Sequence, residues 1–78
     1  MKVSVYSLKK VLFEGDAESL NCKTENGEIT ILDHHRPLIS ILKTGDIQIV
    51  DASKKEHDIP VSSGFLEVGS GNRMNCIV

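Results

Sequence analysis

The segment ILDHHRP, residues 31–37, sets one carboxylate and two imidazoles side by side at the end of an apolar run. Such an Asp-His-His cluster resembles the signature of metal-dependent phosphoesterases, in which oxygen and nitrogen donors grip divalent ions. Two-metal hydrolysis needs several such donors converging on ions about 3.5–4 Å apart. Asp33, His34 and His35 supply at most part of one site, and no Asp-x-Asp or His-x-Asp cluster lies upstream. Adjacent residues of an extended chain also point to opposite faces. The remaining imidazole, His57, precedes Asp58 in a separate strand-like segment. One reading is therefore a small metal-binding or hydrolytic β domain using Asp33, His34, His35 and His57. The other is a solvated loop, with Asp33 making a local turn hydrogen bond and Pro37 keeping the residue before it extended.

Other chemistries find less support. None of the serines sits in a nucleophile elbow, and Ser63-Gly64 reads as a turn. Cys22 and Cys76 lie within apolar alternation, as inert thiols of a core do. With no secretory signal ahead of them, they read as reduced cysteines of a cytoplasmic-type compartment. Gly69-Ser70-Gly71-Asn72 lacks the lysine and the following helix of a phosphate cradle, so it reads as a hairpin turn. No cofactor is expected. The residues point to a non-enzymatic domain that acts by contact.

The elements carrying these residues are short strands. A chain of 78 residues, 40% hydrophobic, makes one domain near the lower limit for folding on a single core. With only Tyr6, Phe13 and Phe65 as aromatics, that core must be mostly aliphatic. The formal net charge is −2, and Lys9-Lys10 and Lys54-Lys55 are isolated pairs, which excludes nucleic acid as an expected partner. The first 25 residues hold no long apolar run, so neither a signal peptide nor a membrane span is expected. Strand-length segments recur as KVSVYS, VLFE, AESLNCKT, EITIL, LISILK, DIQIV, HDIPV, GFLEV and RMNCIV. Turn chemistry separates them at Glu14-Gly15-Asp16, Asn26-Gly27, Thr44-Gly45, Ser62-Ser63-Gly64 and Gly69-Ser70-Gly71-Asn72. Asn26-Gly27 is the strongest of these, because both residues tolerate the positive φ of a tight hairpin. Val3/Val5, Ile29/Ile31 and Ile47/Ile49 alternate with polar neighbours, and together with Phe65 they are expected inside. The pattern predicts one all-β domain over residues 1–78: a small antiparallel sandwich or flattened barrel of about 8–10 short strands, with no helix longer than a turn.

Three stretches, taken in order, resemble one family. VLFEGDAESLNCKTENGEITIL is similar to an opening of F-x-G, an acidic-Ser strand and a Gly-Glu hairpin into an apolar strand. HHRPLISILKTGDIQI is similar to a Gly-His-Ala-Pro-Leu loop, an apolar strand, a Lys-x-Gly turn and a further strand. PVSSGFLEVGSGNRMNCIV is similar to Ser-Gly-Gly-Phe-Leu-Glu-Val, a turn and a last strand. The family is the epsilon subunit of F-type ATP synthases (delta in mitochondrial naming), through its N-terminal β-sandwich.

The resemblance implies a non-catalytic rotor subunit of the central stalk. It would pack on the gamma subunit and meet the polar loops of the membrane c-ring while an ion gradient drives ATP synthesis. It would sit as a peripheral subunit on the cytoplasmic face of the inner membrane, or on the matrix or stroma side in an organelle, with no membrane insertion of its own. Glu28, His35 and Arg36 then become c-ring-side contact residues, and Glu28 and His35 are expected to be exposed. The chain departs from the family pattern at His34 for a usual Gly, Arg36 for Ala, Asp33 for Pro and Thr30 for Gly. Losing Gly at 34 removes the easiest route to positive φ, so the loop is expected to bend differently. Arg36 adds a cation able to pair with a c-ring carboxylate. The family's C-terminal helical hairpin has no counterpart among these residues, which implies a coupling adaptor without an inhibitory arm.

Overall fold

A computed structural model describes residues 1–78 as eight strands without a helix. They are β1 (Lys2–Tyr6), β2 (Val11–Thr24), β3 (Gly27–Leu32), β4 (Leu38–Leu42), β5 (Gly45–Asp51), β6 (Glu56–Val61), β7 (Gly64–Gly69) and β8 (Arg73–Ile77). The β1–β8 pair is parallel and the other pairs are antiparallel. Following the ladders, β1, β8, β7, β4 and β2 close into a ring, because β2 also pairs with β1. β3 and the β5–β6 hairpin attach to β2 outside that ring path.

The long β2 makes this closure possible. Val11–Asp16 pair with β1, while Ala17–Thr24 serve β5, β3 and, through Thr24 opposite Leu42, β4. Two expected strands, VLFE and AESLNCKT, are therefore one. Glu14-Gly15-Asp16 is not a turn, because Ser4, Val3 and Lys2 pair opposite it and hold the backbone extended. Local turn chemistry yields here to a ladder supplied from elsewhere in the chain.

The core lies between the leaf β6-β5-β2-β3 and the leaf β4-β7-β8-β1. It is one cluster of 14 residues, and Leu20, Ile31, Ile49, Leu66 and Met74 are among its largest fully buried side chains. Val3, Val5, Ile31, Ile47 and Ile49 are buried as the alternation requires. Ile29 faces the same way as Ile31, yet it is only half-buried where the core tapers toward the hairpin. Phe65 is outside, at 42% exposure: Leu66 and Val68 take the inward positions of β7, and a period of two then turns Phe65 to the outer face.

The β2–β3 turn also differs in detail from its sequence reading. Its two loop residues are Glu25 and Asn26, since Thr24 already pairs with Gly27. Only Gly27, at φ +114°, takes a positive φ. The buried Thr24 fixes the turn, its Oγ1 accepting from Asn26 N–H (3.1 Å) and donating to the Gly27 carbonyl (2.8 Å). At the start of β7, a Cβ on Gly64 would collide with the Ile77 carbonyl oxygen, so only Gly admits the close β7–β8 approach there.

Candidate functional site

The loops gather at two opposite ends of the strands. One end holds the β2–β3, β4–β5 and β6–β7 turns. Lys43 N–H donates to the Lys23 carbonyl (2.9 Å), and Thr44 Oγ1 donates to the Ser62 carbonyl (3.0 Å), tying the three turns together. Glu28 is exposed at this end, beside a shallow polar groove lined by Lys23, Thr24, Glu25, Gly27, Lys43 and Thr44. The groove has one lysine on β2 and another in the β4–β5 turn, with no hydrophobic residue in its lining, so it suits a polar contact and not an enclosed ligand.

The other end holds the β3–β4 loop (33–37), the β7–β8 hairpin and Met1. Arg36 is exposed. His35 is not exposed as expected but half-buried, in a small recess that Met1, Ile31, Leu32 and Val68 also line. Its Nδ1 lies 2.7 Å from the Arg36 carbonyl. Glu28 is the second residue of β3 and His35 lies in the loop past its far end, so roughly 13 Å of strand separates Glu28 from the start of that loop. The structure therefore does not bring Glu28, His35 and Arg36 onto one small patch.

His34 does bend through the left-handed region, at φ +62°, although it is not Gly. The turn thus has a conformation that Gly adopts freely, on a residue for which it costs more than for Gly. Its neighbour Asp33 accepts from the Met1 ammonium (2.5 Å) and, more weakly, from Asn72 Nδ2 (3.4 Å). Those two donors, the ammonium first, hold the Asp33 carboxyl below its ordinary range.

The imidazoles do not converge either. His57 Nε2 lies 2.9 Å from Asp51 Oδ2 in the β5–β6 hairpin, and its ring meets Phe13 edge-on at 4.9 Å. The Asp51 carboxyl is held low chiefly by His57, then by the Lys55 and Ser53 N–H groups. No three His, Cys, Asp or Glu side chains come together in a set that could hold a metal ion. Both thiols are free and buried. Desolvation raises Cys22 to about 11 and Cys76 to about 12, the latter also through Cys22, which makes poor nucleophiles of both. No buried side-chain nitrogen or oxygen lacks a partner, so the interior offers no unpaired group to a substrate.

What the molecule does offer is an apolar row that the sequence reading missed. Ile41 pairs with Phe65, Phe65 with Ile77, Ile77 with Tyr6, and Tyr6 with Val11, crossing five strands on the outer face. Val11, Ile41 and Phe65 are 59%, 54% and 42% exposed, and Ile39, two residues along β4, is 70% exposed. The doubly apolar LISIL and the Phe-Leu pair at 65–66 were the available signals, since a strand apolar at consecutive positions presents apolar side chains on both faces.

Residues 1–76 match the family model for the β-sandwich domain of the ATP synthase delta/epsilon chain. The chain is 39% identical over 72 residues to the ATP synthase epsilon chain of Bordetella avium, covering 92% of itself and 51% of that chain. Against the epsilon chain of Brevibacillus brevis it is 38% identical over 68 residues, covering 87% and 52%. It thus spans about half the length of the curated relatives it matches. Among solved structures, a chain of the Euglena gracilis mitochondrial ATP synthase, in its OSCP/F1/c-ring assembly, superposes with a TM-score of 0.90 at 16% identity, over 97% of this chain and 48% of that one. A chain of the Tetrahymena thermophila central stalk and c-ring superposes at 0.84 and 18% identity, over 100% and 62%. At such identities the superpositions speak for the fold, whereas the family match and the closer relatives speak for descent: the chain belongs to the ATP synthase delta/epsilon family, as its β-sandwich domain.

Proposed function

We propose that the protein is a non-catalytic subunit of the central stalk of an F-type ATP synthase. It couples the gamma subunit to the c-ring while an ion gradient drives ATP synthesis. The observation that carries this reading is the outward row Val11–Tyr6–Ile77–Phe65–Ile41, exposed at Val11, Phe65 and Ile41 and half-buried at Tyr6 and Ile77, standing on a family match that runs the length of the sandwich. A row of this size on so small a domain is more than scattered surface apolar residues, and it suits a protein partner. The gamma subunit is the partner we assign to it. The polar loops of the c-ring are assigned to the turn ends, where Glu28 and Arg36 stand exposed. Because those two residues lie at opposite ends of β3, each meets a different part of the rotor. His35 acts with Arg36 from a half-buried position. No helix is long and apolar enough to cross a membrane, and the proposed place is peripheral, on the F1-facing side of the coupling membrane.

The test is reconstitution. ATP synthase depleted of its own epsilon subunit, in sealed vesicles, should regain gradient-driven ATP synthesis when this chain is added. Rescue by the enzyme's own epsilon, with none from saturating amounts of this chain, would overturn the proposal.

A further inference from the structure

Asn72 joins two hairpins that are distant in sequence. Its Oδ1 accepts from His34 N–H at 2.7 Å, and its Nδ2 reaches Asp33 Oδ1 at 3.4 Å. Its own carbonyl accepts from Lys2 N–H at 3.0 Å, which fixes the β7–β8 hairpin to the start of β1. On the other side of the join, Asp33 is also held by the Met1 ammonium. Both His34 (φ +62°) and Asn72 (φ +58°) are in the left-handed region. Asn and His are among the non-glycine residues found there most often, yet for each the region costs more than it does for Gly. The His34 amide therefore has its hydrogen bond at a left-handed turn residue that is not Gly, and one side chain supplies it.

We propose that Asn72, assisted by Asp33, is the positioning residue of the β3–β4 loop: it holds His34 in its left-handed turn so that Arg36 is presented to the rotor partner. This rests on the reading of that loop as a contact. Without the clip, His34 relaxes toward negative φ, and the chain that follows leaves the line on which Arg36 stands. Asn72 touches no partner itself and acts through the loop.

Asn72→Gly tests this in the full chain, because Gly accepts φ +58° and only the side-chain bonds are lost. The readouts are hydrogen exchange at the His34 amide, the melting temperature, and capture by a purified gamma–c-ring complex. The proposal expects exchange at His34 to rise roughly tenfold, melting to change little, and affinity to fall roughly fivefold to tenfold, the scale of one hydrogen bond's ordering. Adding His34→Gly to Asn72→Gly should recover most of that affinity, since Gly takes the turn without help. A His34 amide still protected in Asn72→Gly, or freed with no loss of capture, would overturn the proposal. Arg36→Glu run in parallel separates the two claims. If it weakens capture while Asn72→Gly does not, the positioning role alone fails; if neither does, the loop is no contact and both fail.

Discussion

The most informative single residues are the charged ones with fixed partners. Asp51 accepts from the Ser53 and Lys55 N–H groups and pairs with His57, and these contacts keep its carboxyl below the ordinary value of 3.8. A carboxylate with a depressed native pKa stabilises the fold above its unfolded pKa, and that contribution is lost as pH falls through the native value. Thermal stability should therefore decline below about pH 4, and Asp51→Asn, which keeps an oxygen for both N–H groups, should flatten that decline. Melting temperatures of both proteins between pH 6 and 2.5 check this; parallel curves would remove Asp51 from the account. None of these pairings was legible in the sequence. Residue types announced that Asp33, His34, His35 and His57 could do chemistry. Which of them meet depends on partners such as Met1 and Asn72, which no local pattern connects to them.

At the level of the elements, alternation located the buried positions of β1, β3 and β5 but could not orient β7. In GFLEVG two adjacent residues are apolar, and only pairing with β4 and β8 decides that Leu66 goes inward and Phe65 outward. The same limit merged VLFE with AESLNCKT, because a ladder from β1 overrides the Gly-containing turn signal. Where alternation was unambiguous it has energetic consequences. Ile49 is fully buried opposite Leu20 and His57. Ile49→Ala should cost about 2–5 kcal/mol, enough to lower the melting temperature of so small a domain by roughly 10 °C or more. An unchanged melting temperature would contradict the core described here. The ends of β3 call for the opposite behaviour. Glu28→Lys and Arg36→Glu are both exposed changes, so each should leave melting within a few degrees while slowing association with the rotor, most visibly at low salt. Loss of fold with assembly intact would reverse that assignment.

For the whole molecule, the closed ring of strands explains how a 78-residue chain without helices holds a single core. Ring closure leaves β3 and β6 as the strands paired on one side only, and a single buried cluster draws on both leaves. Fold class and family were legible in the sequence through the order of the strands and turns. The outward apolar row was not, because a row across five strands exists only once their register is set. That row is the centre of the account, and titration calorimetry of the chain against isolated gamma tests it most directly. Saturable one-to-one binding is expected, with a negative heat-capacity change, as burial of apolar surface requires, and with its loss in Phe65→Asp without loss of fold. Absence of saturable binding, or full-strength binding by a folded Phe65→Asp variant, would contradict it.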